Sequence, residues 1–340
     1  MADASIPAST AEDLLLLDDA KPLRDSMLWT LQSAFYKTHG AAAWADSIVP
    51  SFITTNAYVA SLYARVVIGF LRDWFTEDPK SGPLDIIEIG AGSGKFGFLI
   101  VRALLEMRAQ WPNSQGTPPF TYILTDVSAA NVEFWRTHEC IAPLIAAGIV
   151  DTAVFDAETQ RTLTTTAGRT LKSGGTRAPV IAIANYVLDS LRQDAFRIVN
   201  GRLEEGLVAL YSTAAEEPAP HSPDVIARMR CVWSWRPCSP EIYKNPHLQT
   251  LLRAYLSSPT PRSIIVPIGG ITALANVAAF GSGNTLLMVG DKAYNHEEEL
   301  GSIRDPHVAV HGSFSFMANL HAVRLYTLAR GGFSLHTVCT

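Results

Sequence analysis

Four polar residues stand at the ends of apolar segments that have the pattern of buried β-strands. They are Glu88, Asp126, Asp156 and Asn185. Parallel strands bring their carboxyl ends to one edge of a sheet, where open α/β sheets bind ligands. Carboxylate and amide oxygens at that edge can accept hydrogen bonds from hydroxyl and amino groups. The four residues therefore predict a binding site for a nucleoside-like cofactor.

The first of these strands runs into a glycine-rich turn and then into an apolar helix. The turn is Glu88-Ile-Gly90-Ala-Gly92-Ser-Gly94-Lys-Phe-Gly97. Glycine lets the backbone approach a ligand closely at a helix N-terminus. A phosphate-binding loop is excluded, because that pattern needs Gly where Ile89 stands and Ser or Thr where Phe96 stands. A dinucleotide fingerprint fits by letter at residues 92–97, and an ordinary glycine-rich turn remains an alternative.

Each polar residue can be given a role in holding a nucleoside. We expect Asp126 to accept hydrogen bonds from both ribose hydroxyls. Asp156 is expected to accept one from an adenine amino group, while the backbone amide of Ala157 donates to the ring. Glu88 would orient the glycine turn or meet an ammonium group. Any one of these residues could instead cap a helix, so the prediction depends on all four together. The 36 residues from Gly90 to Asp126 exceed the roughly 20 typical of a dinucleotide unit.

The string acidic-x-Gly-x-Gly-x-Gly after an apolar strand resembles motif I of class I S-adenosylmethionine (SAM) methyltransferases. The resemblance implies an α/β fold with a Rossmann-like sheet of seven strands, the last of them antiparallel. It also implies SAM as the cofactor, with Gly90, Gly92 and Gly94 beside its amino acid part. The reaction would be direct displacement at the methyl group, yielding S-adenosylhomocysteine.

A second motif, Ile183-Ala-Asn185-Tyr186-Val-Leu-Asp189-Ser-Leu191, resembles the Ala-Asn-Glu-x-x-Asp-Ala-Leu-Pro motif of the MidA-like methyltransferases. Looser matches follow the family's order from about residue 50 to residue 320. The resemblance implies cofactor contacts for Asn185, Thr55 and Asn56. Tyr186 stands where the family has Glu, and Arg192 where it has Pro. Without that Glu, arginine is disfavoured as the methyl acceptor.

Four residues are candidates for the catalytic step: Tyr186, Asp189, His311 and His321. Methyl transfer needs an in-line approach and a lone pair on the nucleophile. A base is needed as well when the nucleophile starts protonated. Asp189 could orient a cationic or amine acceptor, and either histidine could be the base or simply a structural side chain. The expected acceptor is a nitrogen or oxygen of a small molecule, a free amino acid or a protein side chain.

The chain of 340 residues is long enough for one large α/β domain or two modest ones. We expect a helical N-terminal cap at residues 1–50, with disorder up to about residue 10 and a helix over 14–36. A SAM-binding core follows at 51–200, and an inserted substrate-side subdomain at 201–262. A β-hairpin with an Asn-Gly turn is predicted within 196–210. Residues 263–340 would complete the core sheet, with a last strand pair that includes 336–339.

Composition narrows the class of protein further. Apolar residues make up 48% of the chain and the net charge is −5, which predicts a sizeable core and no nucleic-acid partner. No apolar run reaches the roughly 18 residues of a membrane span. The four cysteines lack Cys-x-x-Cys spacing, so no metal site is expected. The acidic N-terminal segment argues against a targeting signal. A cytoplasmic protein is expected, with a homodimer left open. The rival functions are an NAD(P)-dependent oxidoreductase and a non-catalytic scaffold or assembly protein with the same fold.

Overall fold

The computed structural model describes residues 2–41, 43, 53–112, 116–258, 260–281 and 283–336. In chain order, the strands are β1 (Ala2–Asp3), β2 (Leu15–Pro22), β3 (Leu84–Ile89), β4 (Phe120–Asp126), β5 (Val150–Val154), β6 (Thr162–Thr164), β7 (Thr170–Lys172), β8 (Val180–Asn185), β9 (Asp194–Val199), β10 (Arg202–Ser212), β11 (Met229–Pro237), β12 (Arg262–Val266), β13 (Thr285–Gly290), β14 (Ala293–Tyr294), β15 (Ala309–His311), β16 (Ser313–Ser315) and β17 (Ala318–Asn319). The described α-helices are α1 (Leu28–His39), α2 (Ala57–Glu77), α3 (Lys95–Glu106), α4 (Ala129–Thr137), α5 (Ala142–Ala146), α6 (Pro246–Leu256), α7 (Ile268–Ala278) and α8 (Leu320–Ala329).

The chain divides into two compact units, each assembled from segments that are distant in sequence. The parallel-sheet unit comprises Tyr36–Val187 and Thr272–Asp291. The antiparallel-sheet unit comprises Met1–Phe35, Leu188–Ile271 and Lys292–Thr340. The segment 201–262, expected as an insertion, lies within the antiparallel-sheet unit, which also takes in both ends of the chain.

The parallel-sheet unit is built on five strands in the order β13-β8-β3-β4-β5, all of them parallel. The chain begins at the central strand β3, moves outward through β4 to β5, and returns to the other side of β3 with β8 and β13. The strand order therefore reverses beside β3, and the carboxyl end of this strand is the topological switch point at which such sheets bind ligands. The α/β class is confirmed. The described residues place five strands in this sheet, so the expected seven are not confirmed.

The core of this unit explains why its strands were recognisable in the sequence. A parallel sheet is covered on both faces, so its strands are almost continuously apolar. Ile86, Tyr122 and Ile181 are fully buried in one cluster with residues of α2 and α3. The four strands predicted to end near Glu88, Asp126, Asp156 and Asn185 are confirmed as β3, β4, β5 and β8, to within about two residues.

The antiparallel-sheet unit contains a second five-stranded sheet, in which β11, β10, β9 and β12 are adjacent and β2 also pairs with β10. The predicted hairpin is confirmed as β9 and β10. Its turn residues Asn200 and Gly201 have φ of 51° and 70°, as a two-residue type I′ turn requires. A separate apolar core, which includes Phe196, Leu251 and Ile264, fills this unit.

Two expectations for the N-terminal segment are wrong. Residues 15–22 form strand β2 instead of the first half of a helix, and a helix starts only at Leu28. The apolar spacing suits either structure, and pairing with β10 decides it in favour of a strand. Residues 2–10 are not disordered, since β1 pairs with β15 and the Ala4 amide donates to the Val308 carbonyl.

The predicted last strand falls on residues of which 337–339 lie outside the described part of the chain. Within the described ranges, no helix combines the length and the apolar character needed to cross a bilayer.

Candidate cofactor and active site

The turn after β3 depends on glycine at three positions. Gly90, Gly92 and Gly94 have φ of 63°, 56° and 74°. Residues other than glycine rarely adopt a backbone conformation in this region. A Cβ at Gly94 would also lie 2.8 Å from the ring of Trp135, and one at Gly90 would lie 2.7 Å from Val187. The turn is therefore wound tightly over the carboxyl end of the central strand, at the switch point of the sheet.

Asp126, the last residue of β4, fixes this turn in place. Its Oδ2 accepts a hydrogen bond from the Gly92 amide at 3.0 Å, and its Oδ1 accepts one from the Ser128 amide at 2.9 Å. The side chain is buried, and burial raises its pKa while these amide donors lower it. Asp126 thus lies directly against the glycine turn, and its hydrogen bonds with a ribose stay a prediction.

Glu88 lies beneath the turn and is packed into the sheet. The Tyr122 hydroxyl donates to its Oε2 at 2.8 Å, and a Cβ at Gly97 would collide with the same oxygen. Burial raises the pKa of Glu88 to about 8, and the charge of Asp126 adds to the effect. The carboxyl is therefore protonated at neutral pH and supports the contact between β3 and α3. A direct contact between Glu88 and a cofactor stays a prediction.

The segment after β5 places Asp156 in a turn. Its Oδ1 accepts from the Glu158 amide at 3.0 Å, and its Oδ2 accepts from the Thr159 hydroxyl at 2.7 Å. Ala157 is buried, and its carbonyl accepts from the Asn276 amide group at 2.7 Å. These contacts give both residues a structural role, and their predicted roles at an adenine ring stay predictions.

At the carboxyl end of β8, the side chain of Asn185 is only partly satisfied. Its Nδ2 lies 3.5 Å from Thr55 Oγ1, while its Oδ1 is buried with no hydrogen-bond partner. The nearby Thr54 Oγ1 is also buried without a partner. Asn56 caps α2, since its Oδ1 accepts from the Val59 amide at 3.0 Å. Of the three polar residues predicted here, Asn185 is the one with an unused buried acceptor atom.

Tyr63 is a site residue that the sequence reasoning missed. A Cβ built at Gly290 would lie 2.7 Å from the Tyr63 hydroxyl and 3.1 Å from Asn185 Oδ1, so both oxygens face the glycine that ends β13. Burial raises the pKa of Tyr63 to about 12, and the negative charges of Asp291 and Glu88 contribute. Only its place on the face of α2 that packs against the core of this unit could have indicated it.

The candidate catalytic residues are divided between the two units. Tyr186 lies in the parallel-sheet unit, whereas Asp189, His311 and His321 belong to the antiparallel-sheet unit. Asp189 is buried, which raises its pKa to about 6, while the Ser190 hydroxyl donor at 2.9 Å and Lys292 lower it.

The two histidines differ in their hydrogen bonds. His321 Nδ1 lies 2.9 Å from the Tyr255 hydroxyl, and His311 Nε2 lies 3.2 Å from Ser315 Oγ. Burial lowers the pKa of both imidazoles. Among the described residues, no three His, Cys, Asp or Glu side chains come together as metal ligands.

A parallel sheet whose strand order reverses at a glycine turn, with an acidic residue after the next strand, defines a Rossmann-like cofactor-binding fold. No protein-family model and no curated protein matches the chain. Solved structures do match the chain. An uncharacterized COG1565 superfamily protein from Burkholderia thailandensis is similar with a TM-score of 0.53 and 15% identity, over 92% of this chain and 71% of that one. This likeness extends over both units and concerns the fold.

A second COG1565 superfamily member from Burkholderia thailandensis, crystallised with S-adenosyl-homocysteine, matches with a TM-score of 0.48 and 14% identity. It covers 89% of this chain and 78% of that one. The MidA-like methyltransferases lie within the COG1565 family. The resemblance found in the sequence is thus confirmed at the level of the fold.

Proposed function

We propose that this chain binds SAM at the carboxyl edge of its parallel sheet and transfers the methyl group to a nitrogen or oxygen nucleophile. The observation that carries the proposal is the Asp126 carboxylate, fixed against the glycine turn at the switch point of the sheet. S-adenosyl-homocysteine, the product that this reaction would leave, is the ligand of the second Burkholderia structure.

The residues present fit the parts of SAM. A carboxylate oxygen has two acceptor positions, so Asp126 can hold the Gly92 amide and still accept from a ribose hydroxyl. Val154, the register partner of Asp126, is 48% exposed and offers an apolar surface to an aromatic base. The buried, unpartnered Oδ1 of Asn185 needs a donor, which an ammonium group supplies. Tyr63 presents its hydroxyl at the same place.

When bound, SAM supplies an electrophilic methyl group on a sulfonium centre. The chain would supply binding, orientation and exclusion of water. Burial raises the pKa of Asp189 to about 6, so its carboxyl is mostly ionised at neutral pH; its role in orienting a cationic or amine acceptor stays a prediction.

Isothermal titration with SAM, S-adenosylhomocysteine and NADH tests the proposal. We expect SAM and its product to bind and NADH not to bind. Replacing Asp126 by Ala should weaken SAM binding tenfold or more, equivalent to about 1.4 kcal/mol, while Asp73→Ala on the exposed face of α2 leaves the affinity unchanged. Binding of NADH without SAM would favour an oxidoreductase and overturn the proposal. Binding of SAM without formation of any labelled product would instead indicate a non-catalytic scaffold protein that binds the cofactor.

A further inference from the structure

The side-chain amide of Asn131, in the parallel-sheet unit, is buried without hydrogen bonds of its own. Asn131 is only 1% exposed, and neither its Oδ1 nor its Nδ2 has a hydrogen-bond partner within the described part of the chain. Burial of such a group opposes folding, because both atoms lose their hydrogen bonds to water. An amide that is unsatisfied at both ends therefore indicates a place for a polar group from outside the chain.

Asn131 lies on the face of α4 that packs against the glycine turn. Trp135 follows one turn later on the same face of this helix, and its Nε1 donates to the Gly92 carbonyl at 3.0 Å. A Cβ at Gly94 would lie 2.8 Å from the same ring. Because α4 starts just after the carboxyl end of β4, Asn131 in its first turn is closer to the binding edge of the sheet than Trp135 is.

The local role that a polar side chain usually has at this position is already filled. Asn131 is the third residue of α4, where a side chain commonly bonds back to the amide of the N-cap residue. Here the Ser128 amide donates to Asp126 Oδ1 instead, at 2.9 Å. Burial raises the pKa of Asp126, and Asn131 is close enough to be among the polar groups that lower it. The amide thus lies beside the predicted ribose ligand without capping the helix.

An amide beside a carboxylate is suited to a hydroxyl group. A carboxylate only accepts hydrogen bonds, whereas an amide has one end that accepts and one that donates. A hydroxyl can therefore donate its proton to Asp126 and accept a hydrogen bond from Asn131 at the same time. An anionic group would be repelled by the charge of the carboxylate.

A glycine closes the space beside the amide. A Cβ at Gly40 would lie 3.0 Å from Asn131 Oδ1, and Gly40 follows the end of α1 with a φ of 50°. Glycine changes conformation at little cost, so this turn can move aside to admit a hydroxyl group and then cover it. Hydrogen bonds that are covered in this way are stronger than hydrogen bonds in water.

We propose that Asn131 is a second ligand of the cofactor's ribose, so that Asp126 and Asn131 together make binding depend on the ribose hydroxyls; this inference rests on the proposed methyltransferase function. Asp126 accepts a hydrogen bond from a hydroxyl, and Asn131 Nδ2 donates one to the oxygen of that hydroxyl, which fixes its orientation. The pair selects a nucleoside with a free 2′,3′-diol over its deoxy forms. A nucleoside with a 2′-phosphate is disfavoured too, because its charge would meet that of Asp126.

Calorimetric titrations with S-adenosylhomocysteine and with its 2′-deoxy and 3′-deoxy forms test the inference. The unchanged chain should bind at least one deoxy form about tenfold more weakly than the ribose form. Asn131→Leu should bind S-adenosylhomocysteine about tenfold more weakly. Its preference for the ribose form should be at least about threefold smaller, because it lacks the contact that the missing hydroxyl made. Glu133→Gln, at an exposed residue of α4, is the control and should keep both the affinity and the preference.

Urea unfolding of the same variants separates a binding role from a structural one. Leucine has a similar volume and removes the two unsatisfied atoms, so the urea midpoint of Asn131→Leu should be no lower than that of the unchanged chain. Asn131→Ala is the second variant. It leaves a cavity and should unfold at a lower urea concentration, yet it should show the same smaller preference for the ribose form.

The outcomes separate this inference from the function on which it rests. An unchanged chain that binds neither SAM nor S-adenosylhomocysteine overturns the proposed function itself. If S-adenosylhomocysteine binds, equal affinity of the unchanged chain for the ribose form and both deoxy forms overturns the inference. An undiminished preference in Asn131→Leu and Asn131→Ala overturns it as well, whatever their urea midpoints. Failure of both variants to fold would give Asn131 a structural role, and that result also contradicts the inference.

Discussion

The buried carboxyl of Glu88 should make the stability of the fold fall as the pH rises. An ordinary glutamate loses its proton near pH 4.5, whereas burial raises the pKa of Glu88 to about 8 in the folded chain. Between these values the folded chain binds one more proton than the unfolded chain. The free energy of unfolding therefore decreases with rising pH across this window. In the variant Glu88→Gln the side chain does not titrate, so this contribution should disappear.

The size of the effect follows from the difference in pKa. Each unit corresponds to 1.36 kcal/mol, so the interval from 4.5 to about 8 represents about 5 kcal/mol, of which about 4 kcal/mol is lost between about pH 5 and about pH 9. Glutamine has nearly the same volume, and its amide oxygen can still accept the hydrogen bond that the Tyr122 hydroxyl donates at 2.8 Å. Relative to the unchanged chain, the free energy of unfolding of the variant should therefore rise by about 4 kcal/mol between about pH 5 and about pH 9.

Urea unfolding of both chains at a series of pH values measures this difference directly. Glu106→Gln is the matched control, because Glu106 is exposed at the end of α3 in a surface pair with Arg102, and its difference from the unchanged chain should vary by less than about 1 kcal/mol. If the difference between Glu88→Gln and the unchanged chain stays constant with pH, Glu88 is ionised in the fold. The structural role given to its protonated carboxyl would then be wrong.

Three further substitutions test the packing and the backbone. Gly97→Ala forces a Cβ into a buried carboxyl oxygen and should lower the free energy of unfolding by about 1–3 kcal/mol in urea titrations. Arg24→Ala removes the cation from two buried carboxylates, Asp194 and Glu205; a loss of about 3–5 kcal/mol is expected, and an unchanged melting temperature would contradict it. Tyr186→Gly relieves the backbone strain of a residue held at a φ of 54° and should raise the free energy of unfolding by about 1 kcal/mol. Tyr186→Phe keeps that strain and should not raise it.

Short sequence patterns made the strands and turns of the parallel-sheet unit predictable. Its strands are largely apolar, and a polar residue stands within two residues of the carboxyl end of each, so a short stretch of sequence reveals both the strand and the binding edge. The turn at Gly90 and the hairpin at Asn200 depend on positive φ, which sequence patterns reveal through glycine and asparagine. Asp126 lies beside the glycine turn because β3 and β4 are neighbours in the sheet and both end at the same edge.

The features that could not be predicted depend on partners distant in sequence. β2 is a strand because β10 offers it an edge, and nothing within residues 15–22 indicates this. Glu88 was expected to orient the glycine turn or to meet an ammonium group, and its hydrogen bond with Tyr122 of the neighbouring strand is not visible in the local sequence. Tyr63 could not be recognised as a candidate site residue, because its hydroxyl lies near Asn185 in the fold while the two residues are distant in sequence. Contacts of this kind follow from the assembled sheet and are absent from any local pattern.

The end of β8 shows how the backbone is arranged for the proposed site. Tyr186 takes a left-handed conformation at φ 54°, which costs a residue other than glycine or asparagine about 1–2 kcal/mol. Its amide donates to the Gly290 carbonyl at 2.8 Å, so the strained residue ties the ends of β8 and β13 together. Asn185, the residue before it, is held with its Oδ1 buried and unpartnered. Strain and an unsatisfied polar atom at adjacent positions are tolerated where a ligand restores the lost contacts. Tyr186, which stands where the MidA-like motif has Glu, thus lies at a position of strained backbone beside an unsatisfied acceptor atom.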